Sequence, residues 1–203
     1  MKKKLPLLFA IAIVVVACIA GTTMAYLTSS NEIINKFLTP ILTTAIYEND
    51  NIATGDIPVR EEVKDTLKKV QIQNNTSGVK PDTAIDAFIR TKLIPSYPGG
   101  GNVSYDLENN KITLTTQKGE KAVLILGANW NQNWFFADGM FYHKAKVAPG
   151  NKTAVLLEKV TVSSTELWQE LKVDVLSEGI QAEGGAAPQV WGVTIKTDGT
   201  ITK

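Results

Sequence analysis

In Ile85-Asp86-Ala87-Phe88-Ile89-Arg90-Thr91-Lys92-Leu93-Ile94, the residues Ile85, Ala87, Ile89, Thr91 and Leu93 alternate with Asp86, Phe88, Arg90 and Lys92. A period of two places successive side chains on opposite faces of an extended chain, which is the signature of a β-strand. Pro95 is expected to end the strand, and Pro98-Gly99-Gly100-Gly101 reads as a flexible tip. The same signature recurs on both sides of this stretch. Ile33 to Phe37, Ile41 to Tyr47 and Val70 to Gln73 precede it, and Asn74 to Gly78 reads as a loop. Ile112 to Thr115 and Ala122 to Leu126 flank Lys118-Gly119-Glu120 as a hairpin. Phe141 to Val147, Ala154 to Val162 and Leu171 to Val175 follow. Val190 to Ile195 and Thr200 to Thr202, around Asp198-Gly199, read as a last hairpin.

Two short segments carry helical features. Arg60 to Val70 puts Val63, Leu67 and Val70 on one side, and Ser163-Ser164-Thr165-Glu166 resembles a capping box. Both are short and are read as connections. Many short strands without long intervening helices predict an all-β domain, an antiparallel β-sandwich or jelly roll.

The first 25 residues differ from the rest. Lys2, Lys3 and Lys4 precede an uncharged run, Leu5 to Ala20, and Gly21-Thr22-Thr23-Met24-Ala25 then turns small and mildly polar. This order is that of a cleavable signal peptide. Thr23 and Ala25 supply the small side chains needed three places and one place before the cut, so the mature chain is expected to begin at Tyr26. The domain layout is thus 1–25 leader and 26–203 single β-sandwich domain. Two other readings stand beside it. One is a retained anchor, for which the 16-residue run falls short of the ~20 apolar residues of a spanning helix. The other is lipidation at Cys18, preceded by Val15-Val16-Ala17 but followed by apolar rather than flexible residues.

Loss of Lys2, Lys3 and Lys4 would lower the basic residues from 21 to 18 against 20 acidic ones, a formal charge of −2. No clustered positive charge points to nucleic acid. The only cysteine lies in the leader, so the mature domain is expected to hold by burial and hydrogen bonding without disulfides. The membrane is met only through the leader.

Catalytic patterns are sparse. The chain has one histidine, His143, where a zinc site of the histidine or cysteine type takes three or four such ligands. There is no Gly-x-Ser-x-Gly elbow, and Glu61-Glu62 are neighbours that diverge in either regular structure. No enzymatic activity, metal or cofactor is expected. Trp130, Trp134, Phe135, Phe136, Phe141 and Tyr142 form the densest aromatic cluster. Trp130, Trp134 and Phe135 are candidates for stacking on a glycan or anchoring a protein partner, and the competing expectation is that alternate members fill the core.

These motifs, in their order, resemble the SipW-dependent exported proteins of Gram-positive bacteria, the TasA/camelysin-like group. The resemblance rests on Ala25-Tyr26-Leu27-Thr28 after the leader, Asn35-Lys36-Phe37-Leu38-Thr39 and Ala87-Phe88-Ile89-Arg90-Thr91-Lys92. It continues in Trp134-Phe135-Phe136-Ala137-Asp138-Gly139-Met140-Phe141-Tyr142, in Pro149-Gly150, and in Gly179-Ile180-Gln181-Ala182-Glu183. Tyr26 stands where the group usually has alanine or phenylalanine, and Pro40 replaces its customary glycine region. The resemblance implies a jelly-roll-like sandwich, cleavage by a SipW-type signal peptidase and a place at the cell surface or in the extracellular matrix. It also implies a structural role, as in members that build biofilm fibres, although camelysin itself is described as a metalloprotease. The freed segment 26–38 is the expected assembly element: polar from Thr28 to Glu32, it carries Tyr26, Leu27, Ile33, Ile34, Phe37 and Leu38. Donated to a neighbouring copy it would link subunits, and folded back it would be the domain's own first strand. A surface adhesin using the aromatic cluster is the alternative function, and a camelysin-like metalloprotease the less favoured third.

Overall fold

Burial and strand pairing, rather than helix, account for most of the chain from Leu42 onward. The computed structural model describes residues 42, 44–49, 51–52, 65–75 and 85–203. Two units are distinguished, 1–39 and 40–203, and every described residue belongs to the second. The leader residues Thr23 and Ala25, and the assembly residues Tyr26, Leu27, Ile33, Ile34, Phe37 and Leu38, lie outside the described residues. So does the strand expected at Ile33 to Phe37.

Seven strands form one antiparallel sheet: β1 (Thr44–Glu48), β2 (Asn51–Ile52), β3 (Asp65–Asn74), β5 (Gly101–Asp106), β6 (Lys111–Thr116), β7 (Lys121–Leu126) and β10 (Leu157–Val162). Their order is β2-β1-β3-β10-β7-β6-β5. A second antiparallel sheet has the order β11-β4-β9-β8, from β4 (Ala87–Ser96), β8 (Trp134–Ala137), β9 (Met140–His143) and β11 (Lys172–Gln181). A two-stranded ribbon pairs β12 (Thr194–Ile195) with β13 (Ile201–Thr202). Among the described residues, three short helices punctuate them: α1 (Trp130–Asn133), α2 (Thr165–Glu170) and α3 (Ala186–Trp191). The fold is all-β, as the alternation predicts.

One core lies between the inner faces of the two large sheets. Val70, Ile72, Ile112, Leu114, Leu124, Leu126, Leu157 and Val160 from the first meet Ala87, Ile89, Leu93, Trp134 and Phe141 from the second. A smaller cluster covers the outer face of the four-stranded sheet, where Phe88 and Tyr142 meet Ala187, Trp191, Val193 and Ile201 of the C-terminal elements. The strand β4 is therefore buried on both faces at its start: Ala87, Phe88 and Ile89 are all at most 1% exposed. This explains why Phe88 sits on the face that alternation marks as polar. The cover is fastened by Ile201 N–H donating to Lys144 O at 2.8 Å and by an ion pair between Lys203 and Asp138 at 2.5 Å.

Several local expectations are corrected. Asp65–Val70, read as one end of a short helix, is strand, because its backbone pairs with β10 at Asp65, Thr66, Leu67 and Val70, and β1 joins from Val70 onward. Pro95 does not end β4: it pairs with Val173, and β4 runs to Ser96. The strand β9 pairs with β4 only at Arg90 and Thr91, so at Pro95 that side of β4 is an edge, where proline is tolerated. Val190 and Trp191 lie in α3, not in the last hairpin. The cap of α2 is Ser164, whose hydroxyl oxygen accepts from Leu167 N at 3.1 Å while donating to Glu120 Oε1 at 2.6 Å. Gly101 opens β5 rather than closing a flexible tip. A Cβ there would stand 2.7 Å from Thr115 O, so only glycine lets the two strands approach.

The ladders on both sides of β10 shift register between Leu157 and Lys159, which leaves Glu158 at a β-bulge in a central strand. Leu124 is fully buried between the sheets. Its replacement, Leu124→Ala, removes buried methyl groups and leaves a cavity, and is expected to lower unfolding free energy by about 2–5 kcal/mol. Urea titration followed by tryptophan fluorescence checks this; an unchanged midpoint would contradict the position of the core.

Candidate functional site: an unguarded sheet edge beside the aromatic segment

The two-residue turn Asp138-Gly139, with φ of 51° and 74°, closes the β8–β9 hairpin and sets the aromatic segment in register, Trp134 opposite His143 and Phe135 opposite Tyr142. Alternation then divides the candidate binding trio. Trp134 turns inward, 1% exposed, and its Nε1 donates to Ala154 O at 3.2 Å. Trp130, on α1, is 6% exposed, donates from Nε1 to Asn110 Oδ1 at 2.7 Å and meets Phe141 edge-on at 5.6 Å. Neither indole offers a free face to a sugar. Phe135 lies on the other side of the sheet, half-buried and stacked on Tyr142 with ring centroids 4.9 Å apart. The three are thus not brought together, and two serve the core.

Arg90 completes the outer cluster. Its Nε and Nη2 donate to Glu178 Oε2 at 2.8 and 2.6 Å, its Nη1 donates to Tyr142 Oη at 3.3 Å, and its guanidinium lies 4.8 Å from the Trp191 ring centroid. Trp191, held in α3, thereby joins the C-terminal cover to the sheet through a cation–π contact.

His143 is buried, and both ring nitrogens are engaged. Ala154 N–H donates to Nε2 at 3.4 Å, so Nδ1 carries the proton and donates to Ala145 O at 2.7 Å. Burial holds this imidazole below its ordinary value, with the bond to Ala145 opposing the shift in part. Among the described residues, no group of three or more His, Cys, Asp or Glu side chains is placed to hold a metal ion.

The surface feature that sequence reading missed is β5. It lies at the end of the seven-stranded sheet and pairs with β6 alone. Val103 and Tyr105 stand opposite Leu114 and Ile112, so they belong to the inner face, yet they remain 39% and 40% exposed. The ring of Tyr105 leans toward Phe136 of β8, with centroids 4.9 Å apart, across the gap between the two sheets. The strand carries one charge, Asp106, and neither lysine nor proline, the residues with which edge strands are usually protected. One side of its backbone has no strand partner, and its inner residues Val103 and Tyr105 stay partly open, as at sheet edges to which extended peptides add. The signal was present in Asn102-Val103-Ser104-Tyr105, which alternates, but the preceding glycine run masked it. At the opposite end of the sheets the equivalent gap is filled. Thr44 Oγ1 lies 2.8 Å from Ser177 Oγ of β11, and Leu42 lies against Gly179.

The chain matches no protein-family model, and neither a curated protein nor a solved structure matches it.

The histidine gives a pH test. The folded imidazole titrates below the unfolded value of 6.5, so the unfolded chain binds the extra proton first. Stability present above that value is lost as pH falls below it, toward the folded value. The melting temperature is expected to decline more between about pH 7 and about pH 5.5 in the wild type than in His143→Gln, measured by circular dichroism. Equal slopes would contradict a buried neutral imidazole.

Proposed function

We propose that this chain is an exported structural subunit of the cell surface or extracellular matrix, of the TasA/camelysin-like kind, which assembles by strand donation. A SipW-type signal peptidase would cut between Ala25 and Tyr26, and the body would be a jelly-roll-like sandwich without a cofactor. The partners are further copies of the chain or other matrix proteins. The observation that carries the reading is β5, an edge strand with its apolar inner residues left open.

The donor is the segment 26–38, whose Ile33, Ile34, Phe37 and Leu38 would fill the slot over Val103, Tyr105 and Phe136 while its backbone pairs with β5. Polarity supports donation between copies. The chain enters the described body at Leu42 and Thr44, beside β11, whereas the slot lies at the far end of the seven-stranded sheet. A contact that joins two different patches is heterologous, and when it does not close into a ring it yields a filament.

Electron microscopy of the chain beginning at Tyr26 is expected to show fibres. The chain beginning at Pro40, and Val103→Lys in the longer chain, are expected to stay monomeric with unchanged circular dichroism. Equal fibre formation by the Pro40 chain would remove the donor, and undiminished fibres from Val103→Lys would remove the β5 slot.

A further inference from the structure

An open cleft of about 350 Å³ lies where β7 leads into α1, walled by Asn129 and Asn133 on one side and by Glu158 and Lys69 on the other. Trp130 and Val155 also line it. None of these residues belongs to the β5 slot, so the cleft stands whether or not the chain polymerises.

Three features set this cleft apart from an accidental hollow. The β10 bulge falls at Glu158, and the ladder to β3 slips in the same step, between the pairs Leu157–Val70 and Lys159–Leu67. Both charged walls thus sit where the regular alternation is broken, and bulges of this kind re-aim side chains at functional sites. The two walls are also held close by backbone. Gly127 N–H donates to Leu156 O at 3.0 Å, and a Cβ on Gly127 would stand 3.0 Å from Val155 O, so a side chain there would press the walls apart. Finally, the floor is fixed, because Trp130 is anchored through Nε1 to Asn110 and packed edge-on against Phe141.

The lining chemistry selects the ligand. One carboxylate, one ammonium and two amides give donors and acceptors in balance with no net charge, so neither an anion nor a cation is favoured. Hydroxyl groups both donate and accept, and a sugar ring presents an apolar face between them. The volume lies in the range of small-molecule sites, and the open form suits part of a chain rather than an enclosed metabolite. We propose that this cleft binds a short neutral oligosaccharide, with Glu158, Lys69, Asn129 and Asn133 bonding its hydroxyls and Val155 meeting a ring face.

The test is titration of the isotope-labelled chain beginning at Tyr26, carrying Val103→Lys to keep it monomeric, with maltotriose and separately with chitotriose, followed by NMR. Saturable shifts confined to Gly127–Asn133, Val155 and Glu158 are expected from at least one sugar. Glu158→Gln and Asn133→Ala, each with unchanged circular dichroism, should weaken that affinity about tenfold, the loss of one well-placed hydrogen bond to a charged or amide group. Absence of saturable shifts with both sugars, or shifts that both variants leave unaltered, would overturn the assignment. If Val103→Lys still polymerised, the β5 slot would fail while the titration, run on protein diluted below its assembly concentration, would still decide the cleft.

Discussion

Two sheets of unequal width share one hydrophobic core, and the remaining features of the molecule follow from that mismatch. Seven strands face four. The four-stranded layer covers the middle of its partner, where Val70, Ile112, Leu124 and Val160 are fully buried. It cannot cover both margins. At one margin Leu42 and Thr44 fill the gap against Ser177 and Gly179. At the other, the short strand β8 supplies only Phe136 and Tyr105 leans across to meet it, leaving Val103 and Tyr105 two-fifths exposed. A chain whose described body lacks disulfides depends on burial, so apolar inner-face residues left in water are a cost. The strand would recover that burial by taking up another extended segment.

The C-terminal elements are committed elsewhere. Residues from Ala187 to Ile201 cover the outer face of the four-stranded sheet, where Phe88 and Tyr142 would otherwise be exposed. Arg90, paired across the sheet with Glu178 of β11, ties this cover down through Trp191. Glu178 is more than half exposed, so the ion pair itself contributes modestly, below about 1 kcal/mol. The larger share comes from enclosing the aromatic rings. The cover therefore fixes the four-stranded sheet and does nothing for β5.

Much of this was legible in the sequence, and the failures have physical causes. Alternation located β4, β6, β7 and β11 because each turns one apolar face toward the core, fully buried in the first three and partly buried at Val173 and Val175 of β11, and the turn residues Lys118-Gly119-Glu120 and Asp198-Gly199 marked two hairpins. The division of Trp134 and Phe136 from Phe135 followed from period two alone. What pattern could not reveal was burial from the second side, which makes Phe88 a core residue, and the loss of a neighbour, which lets Pro95 stay within a strand. The strand β5 escaped because the glycine run before it reads as a flexible tip, which masks the short alternation from Asn102 to Tyr105. The cleft escaped because a bulge is a relation between three strands, and Glu158 alone carries no mark of it.

The unguarded edge and the expected leader bear on each other. A strand such as β5, with one charge and no proline, would pair indiscriminately if its partner segment were available during synthesis. Proteins usually meet this hazard with charged residues on the edge, and β5 has only Asp106 at its end. Under the proposed reading the hazard is met by timing instead. The donor segment 26–38 is joined to the apolar run Leu5 to Ala20 until the cut after Ala25, and it becomes a free end only once outside. An edge with a single terminal charge is then tolerable because its complement is withheld, and a charge placed within it for safety would also abolish the contact that assembly requires. On that proposal, the absence of guarding residues on β5 is the cost of a strand that must remain able to pair.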